Sequence, residues 1–517
     1  SITFDDNKSV ADHLDYYRSR VGIVPQDDVV HACLTVEENL RFAAKLRRPE
    51  LDRDDLDDLI EQTLDVVAML PHRDKRTAVL SGGQRKRVSI GIELLDNPRL
   101  LLLDEPTSGL DPGTQSRLLE VLRKLARRGT TVVCSTHTMD TLHYFSSALV
   151  LGMQGEMATA MFHGSPGELL SSFDVRNPAD LFDKLQSGTQ PARTPSHETG
   201  GPATEGRKDT DRVLARHQRF LISPRRPRTR QHHLGSQAKI VFLRSMLGIW
   251  RDRASALLLL VQPAILAVLT VASQFKQDTS TFIHFFLIVS GLWLGMTLTI
   301  REVVRERRLY VRDRLACLLP EAYLAGKVLM AAVLVAIQVA LLYGLARLLI
   351  PLVLCDQTTG VSRDWLLKRS PIVAFSGTFL VAAAGALMAL TVSTLARSQR
   401  AAVSLLPLLL LPHVLLSRVA YGDGGRPWAN PSPYAPIAIC AKTGDRKDQG
   451  LRERVLFIVS LPMLTRPGTA AVDMPARDMP WQTVLAEWVY LGILVTTHAL
   501  VLYVVFRWQE HTWIASR

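Results

Sequence analysis

The chain changes its hydrophobic rhythm about halfway along. Up to residue 185, short apolar runs alternate with stretches in which leucines recur every three or four positions. Leu100–Leu103 is four consecutive leucines, and Thr131–Ser135 is a second short run that ends in polar residues. Runs of that length suit buried strands, whereas Leu118, Leu119, Leu122 and Leu125 within Gly113–Arg128 line one helical face. The strand–helix–strand order predicts a parallel α/β sheet, with its chemistry at the carboxyl ends of the strands. Beyond residue 250 the pattern turns into long apolar runs such as Ala256–Ala272 and Val328–Leu354. Six of these, at about 254–273, 282–300, 322–349, 371–396, 401–420 and 483–506, are long enough to cross a hydrocarbon core as helices. The second half, 254–517, therefore reads as an all-α polytopic membrane domain.

Between the halves, residues 186–234 are dominated by Ser, Thr, Pro, Gly and Arg. Such a segment buries too little apolar surface to offset its ordering entropy, and it reads as a flexible basic linker. Residues 235–253 follow, where QAKIVFLRSMLGIWRDR mixes arginines with Ile, Phe, Leu, Met and Trp. That mixture predicts an amphipathic interfacial helix leading into the membrane.

Charge refines this picture. The net charge is +12, and Arg225, Arg226, Arg228 and Arg230 precede the first span. Basic residues beside spans meet anionic lipid, so a lipid bilayer rather than nucleic acid is the expected partner. The loop REVVRERRLYVRDR at 301–314 is strongly basic, Arg397 and Arg400 mark the next loop on that side, and the turn after the first span offers only Lys276. The positive-inside rule then puts both chain ends in the cytoplasm. The segment 421–482 carries eight Lys or Arg residues on the far side, but long loops translocate largely regardless of charge. The five cysteines, at 33, 134, 317, 355 and 440, have no metal-ligand spacing. Cys355 and Cys440 fall at or beyond the far membrane face, as two thiols or as a disulfide.

Three stretches carry chemistry. Leu80-Ser81-Gly82-Gly83-Gln84 precedes a helical run, so backbone N–H groups at the positive end of a helix dipole face an anion. LLLLDEPTSGLD at 100–111 delivers Asp104 and Glu105 to the end of a buried strand. There the first carboxylate can hold Mg²⁺ through water and the second can polarise an attacking water. The strand 131–135 ends at Thr136-His137, where an imidazole could reach the same phosphate or water.

Together these stretches resemble an ABC transporter, and the order of parts is similar to the G subfamily, a nucleotide-binding domain ahead of six spans. LSGGQ at 80–84 matches the signature motif, with Ser81, Gly82, Gly83 and Gln84 as nucleotide contacts, and Leu100–Glu105 matches the Walker B strand. Ser108, Gly109, Leu110 and Asp111 match the D-loop, and His137 matches the switch histidine. VPQDD at 24–28, followed by LTVEENL at 34–40, matches the Q-loop region and makes Gln26 a sensor of Mg²⁺ and γ-phosphate. Asn177–Asp180 resembles the segment that closes the nucleotide domain, which would occupy residues 1–185.

The resemblance implies a P-loop NTPase-type α/β fold, ATP and Mg²⁺ as cofactors, Glu105 and His137 as catalytic residues, and Asp104 with Gln26 as metal ligands. It implies a half-transporter that works as a homo- or heterodimer and exports a lipid or another amphiphilic substrate. Arg301, Glu302, Arg305, Glu306 and Arg312 would form the loop that couples the domains. One departure stands out: GxxxxGK[ST], the Walker A loop, does not occur in the chain. The sequence is expected to begin just beyond it, since Ser1–Asp5 resembles the strand that follows its helix. Two other readings stand beside this one. One is a catalytically incompetent subunit that lends its signature to a partner, and the other is an ABC ATPase acting on nucleic acid.

Overall fold

A computed structural model describes residues 3–4, 8–9, 20–154, 157–175, 234–272, 280–316, 318–353, 371–415 and 481–515. The linker up to residue 233, Asn177–Asp180, Cys317, Cys355, Cys440 and the segment 421–480 lie outside the described residues. The chain divides into two compact units: Ser1–His232 with Leu315–Cys317, and His233–Arg314 with Leu318–Arg517.

The first unit opens with a small antiparallel pair, β1 (Thr3–Phe4) and β2 (Lys8–Ser9). β3 (Val21–Val24) leads through α1 (Val36–Arg47), α2 (Arg53–Val66) and α3 (Gly82–Leu94) to β4 (Leu100–Leu103). α4 (Pro112–Arg127) then crosses to β5 (Thr131–Cys134). β3, β4 and β5 form a parallel sheet in which Val24 lies opposite Leu103 and Leu103 opposite Cys134. The expected parallel α/β arrangement is therefore present.

Local signals set the helix starts. Thr35 with Glu38 forms a capping box on α1, and the Asp52 carboxylate caps α2. One face of the sheet, with Leu101 and Leu103, is buried against Leu40, Val88, Ile92, Leu118 and Leu122. A buried Arg47 forks onto Glu93 at 2.8 Å and Asp96 at 3.0 Å, which fastens α3 to α1. On the opposite face Ile23, Leu102 and Val133 stand in register, and Ile23 and Val133 are 45% and 51% exposed. Burial pushes the Cys134 thiol up to about 12, so it stays protonated at physiological pH. A hairpin of β6 (Ala148–Gln154) and β7 (Met157–Gly164) and a short helix α5 (Pro166–Ser172) complete the described part.

The second unit is all helical: α6 (Leu234–Arg251), α7 (Arg253–Ala272), α8 (Ser280–Thr299), α9 (Glu302–Leu315), α10 (Pro320–Val353), α11 (Pro371–Leu395), α12 (Gln399–Ser404), α13 (Leu406–Leu415) and α14 (Trp481–Ala515). Five stretches among the described residues are long and apolar enough to cross a membrane: Arg253–Ala272, Phe286–Leu315, Pro320–Leu349, Phe375–Leu395 and Trp488–Trp513. The span expected at 401–420 instead falls on α12 and α13, which break at Leu405. Pro407 lacks the N–H that would continue a helix through this point, and its ring crowds the carbonyl four residues earlier. α8 and α11 approach closely at Gly295, where a Cβ would lie 2.1 Å from the Ala382 carbonyl oxygen. Small residues allow such backbone contact between membrane helices.

The helix expected over 235–253 forms as α6, and its buried stripe is Gln237, Val241, Arg244, Ser245 and Ile249. That stripe packs on α10, where a Cβ on Gly326 would meet the Ala238 carbonyl oxygen at 2.8 Å.

The basic run 301–314 corrects an expectation. It is a helix, α9, and not a loop, and Glu302, Glu306 and Arg312 are buried. It contains no Gly or Pro, and Glu302, Glu306 and Asp313 recur on one side, where cations from other helices meet them. Lys327 of α10 is fully buried between Glu302 at 3.0 Å and Glu306 at 2.8 Å. Arg244 and Arg312 pair with Asp313 at 2.6 and 2.9 Å, while Glu510 of α14 accepts from the Tyr310 hydroxyl and from Arg314. Arg301, just ahead of α9, and Arg305 are exposed, and Arg305 also pairs with Glu302 at 2.9 Å.

Candidate functional site

The carboxyl ends of β3, β4 and β5 bring four of the expected residues together. Glu105 follows β4 by two residues, and its backbone takes φ +39°, the left-handed region that a residue with a Cβ enters at a cost of about 1–2 kcal/mol. Two hydrogen bonds to its carboxylate surround it. Gln26 Nε2, just past β3, donates to Oε2 at 3.1 Å, and His137 Nδ1, just past β5, lies 3.0 Å from Oε1. An ionised carboxylate only accepts, so Nδ1 carries the proton of that bond and neutral His137 keeps its lone pair on Nε2.

Ser135, at the end of β5, was not singled out by the sequence. Its hydroxyl donates to Asp104 Oδ1 at 2.7 Å and accepts the Glu105 N–H at 2.8 Å. One side chain thereby fixes both acids and satisfies the amide of the strained residue. Only a Ser directly after a strand marked it, and most such serines are unremarkable. Ser135→Ala is expected to lower the catalytic rate about tenfold, with a stability loss of about 1–2 kcal/mol, since two hydrogen bonds are removed. A steady-state assay beside a thermal melt checks this.

The Ser81–Gln84 segment is set by α3. Ser81 is its N-cap and forms a reciprocal capping box: the Ser81 hydroxyl accepts from the Gln84 N–H at 3.3 Å, and Gln84 Oε1 accepts from the Ser81 N–H at 3.0 Å. The hydroxyl hydrogen of Ser81 is left to donate to a ligand. With Oε1 so used, Gln84 Nε2 donates to His72 Nε2 at 3.0 Å, another contact that the sequence did not reveal. A Cβ on Gly83 would fall 2.2 Å from Thr114 Cγ2, so glycine is what lets α3 start against the first turn of α4. The SGLD segment runs between the two: Gly109 turns with φ +70°, Leu110 faces the positions of Gly82 and Gly83, and Asp111 caps α4 by accepting from the Thr114 N–H at 3.0 Å. Hydrogen bonds from Thr114 hold the Asp111 carboxyl below the usual aspartate range.

Oxygen ligands suited to a hard divalent cation are present in the Asp104 carboxylate and the Gln26 amide oxygen. Gln26 spends its Nε2 on Glu105, which leaves that oxygen to turn outward. No group of three or more His, Cys, Asp or Glu that could hold a metal occurs among the described residues. The donor set therefore fits a cation that brings phosphate and water ligands with it, as Mg²⁺ does.

Three family models match the chain: "ABC transporter" over residues 1–108, "ABC-2 type transporter" over 236–429, and "AAA domain, putative AbiEii toxin, Type IV TA system" over 78–141. The chain belongs to the ABC transporters. Among relatives, the "ABC transporter ATP-binding/permease protein Rv1747" of Mycobacterium tuberculosis is 29% identical over 445 residues, which cover 82% of this chain and 47% of that protein. "ABC transporter G family member 21" of Arabidopsis thaliana is 43% identical over 188 residues, 33% of this chain and 27% of that one. The rat "Broad substrate specificity ATP-binding cassette transporter ABCG2" is 36% identical over 191 residues, 34% of this chain and 29% of that one. The chain thus spans about half or less of the length of these relatives.

As an ABC transporter it is an integral membrane protein, with its nucleotide-binding segment ahead of its membrane segment. Both expected halves of the fold are therefore present, and within the first half Asp104, Glu105, Gln26 and His137 converge on one spot.

Proposed function

We propose that this ABC transporter chain is a half-transporter that dimerises and uses ATP hydrolysis to export a lipid or another amphiphile. The convergence of Gln26 and His137 on the two oxygens of Glu105 carries this reading. ATP with Mg²⁺ supplies the phosphoryl group and the charge that neutralises it. Within the chain, Glu105 is the base that orients and deprotonates the attacking water. His137 and Gln26 hold its carboxylate in place, and Ser135 fixes Asp104 for the cation. Ser81, Gly82, Gly83 and Gln84 present the start of α3 to the nucleotide of the partner, beside Ser108, Gly109, Leu110 and Asp111. Parallel sheets are covered on both faces, so the open face at Ile23, Leu102 and Val133 supports a further element seating there in the working protein.

Both chain ends lie in the cytoplasm on this reading, which the basic residues before the first span and at 301–314 support. The coupling role narrows to the exposed Arg301 and to Arg305, which is exposed but braced by Glu302 at 2.9 Å, because Glu302, Glu306 and Arg312 are buried inside the membrane unit.

The test is ATP hydrolysis by the natural-length protein in liposomes, screened across lipids and amphiphiles. Stimulation by at least one amphiphile is expected, and hydrolysis indifferent to every one of them would overturn the substrate class. The second reading, a subunit that lends only its signature, rests on the lack of GxxxxGK[ST] within residues 1–517. Turnover by the natural-length protein alone would sink it.

A further inference from the structure

Lys86 is nearly fully buried on α3, five residues beyond the Ser81 cap and so about 7.5 Å along the helix axis. A buried ammonium is costly unless its three donors are used. Here they are directed at one short segment. Nζ donates to the Pro25 carbonyl at 3.1 Å and to the Gln26 carbonyl at 2.6 Å. It also lies 3.3 Å from Asp28 Oδ1, an ion pair too poorly aimed to count as a hydrogen bond. Arg85 reaches the other Asp28 oxygen at 3.5 Å.

The position of those acceptors is the informative part. Both carbonyls bracket Gln26, and the Gln26 side chain is the group that donates to Glu105 Oε2 at 3.1 Å. A continuous set of bonds therefore runs from the helix that starts at Ser81, through Lys86, to the Gln26 backbone, and on to Glu105. α3 itself is held as a rigid body by its buried residues Val88, Ile90 and Ile92 and by the Arg47 fork. A force at its first turn reaches Lys86 with little loss.

We propose that Lys86 is a positioning residue that ties the signature helix to the Gln26 loop. A nucleotide engaged by Ser81–Gln84 thereby orders the Glu105 of the same domain. This rests on the ATPase reading above, and it adds a link between two sites: the one this domain serves in trans and the one it serves in cis. The bland alternative is a tether that only stabilises the loop, and the two differ in what they do to kinetics.

The experiment uses the natural-length protein in liposomes with Lys86→Met, Gln26→Ala, the double variant and Lys86→Arg. Lys86→Met keeps the aliphatic stem and removes the donors. It is expected to lower kcat about ten- to hundredfold, the worth of a charge-assisted hydrogen bond, with KM for ATP nearly unchanged. Lys86→Arg is expected to recover most of the rate. Because Lys86 acts through Gln26, the double variant is expected to be no slower than Gln26→Ala alone. Additive losses, or a change confined to KM, would overturn the proposal and leave only a structural tether. So would a folded Lys86→Met protein with the wild-type kcat. Should Lys86→Met fail to fold, Lys86→Gln, which keeps an N–H donor, is read by the same split. A wild-type protein without ATPase activity would remove the functional reading and this proposal together, whereas an active wild type with an unaffected Lys86→Met removes this proposal alone.

Discussion

Glu105→Gln is expected to abolish steady-state ATP turnover while leaving ATP binding intact. The substitution keeps the size of the side chain and one oxygen for hydrogen bonding, but it removes the charge that accepts a proton from water. General-base catalysis contributes roughly 10²–10⁴ in rate, and a loss of that order separates a base from a bystander. The surroundings sharpen the expectation. Gln26 Nε2 and His137 Nδ1 both donate to this carboxylate, and an amide in its place offers only one acceptor atom. Nucleotide binding measured with a fluorescent ATP analogue, beside phosphate release, reads the two halves of the claim. Undiminished hydrolysis in the variant would refute the role.

Lys327→Met is expected to cause the largest loss of stability in the membrane unit. Lys327 is fully buried and holds two carboxylates, Glu302 and Glu306, at 3.0 and 2.8 Å. Removing the cation leaves both acids buried beside each other, and breaking a buried pair in this way typically costs about 3–5 kcal/mol. The effect comes from weakened charge compensation, with Arg305 still 2.9 Å from Glu302, and not from lost packing, because methionine fills most of the same volume. Neutralising the acids as well, in Lys327→Met/Glu302→Gln/Glu306→Gln, is therefore expected to restore most of the melting temperature in detergent. Equal melting of the wild type and the single variant would show that the pair contributes nothing. A triple variant no better than the single would show that packing carries the effect.

The buried charges also change how the basic run at 301–314 reads. A count of charges along the chain marks it as solvated, and as such it suits the cytoplasmic face of a membrane protein. Its partners, however, lie far away in sequence: Lys327 on α10, Arg244 on α6 and Glu510 on α14. Three acids of α9, Glu302, Glu306 and Asp313, are met by four cations, Lys327, Arg305, Arg244 and Arg312. Burial is then tolerated electrostatically, and only exposed residues such as Arg301 and Arg308 keep the character that the sequence assigns to the whole.

Local structure is legible in the order of residues alone. The four leucines at 100–103 and the leucine spacing in 113–128 encode strand and helix, because side-chain direction repeats with a fixed period in each. Ser81-Gly82-Gly83-Gln84 fixes the start of α3, since a capping box closes within three residues. Asp104, Glu105 and His137 were legible because each lies within three residues of a strand end, and parallel strands deliver their ends to one edge, whereas Gln26 was legible only through the resemblance of VPQDD to a Q-loop. Packing between distant elements sets the rest: Ser135 bridges the two acids, Lys86 holds the Gln26 loop, and the acids of α9 face inward. These pairings join residues far apart in the chain, from Lys327 with Glu302, 25 residues away, to Tyr310 with Glu510, 200 away. Polarity along a sequence records which groups seek water or a partner. Which of the two each group finds depends on the helices and strands that pack beside it.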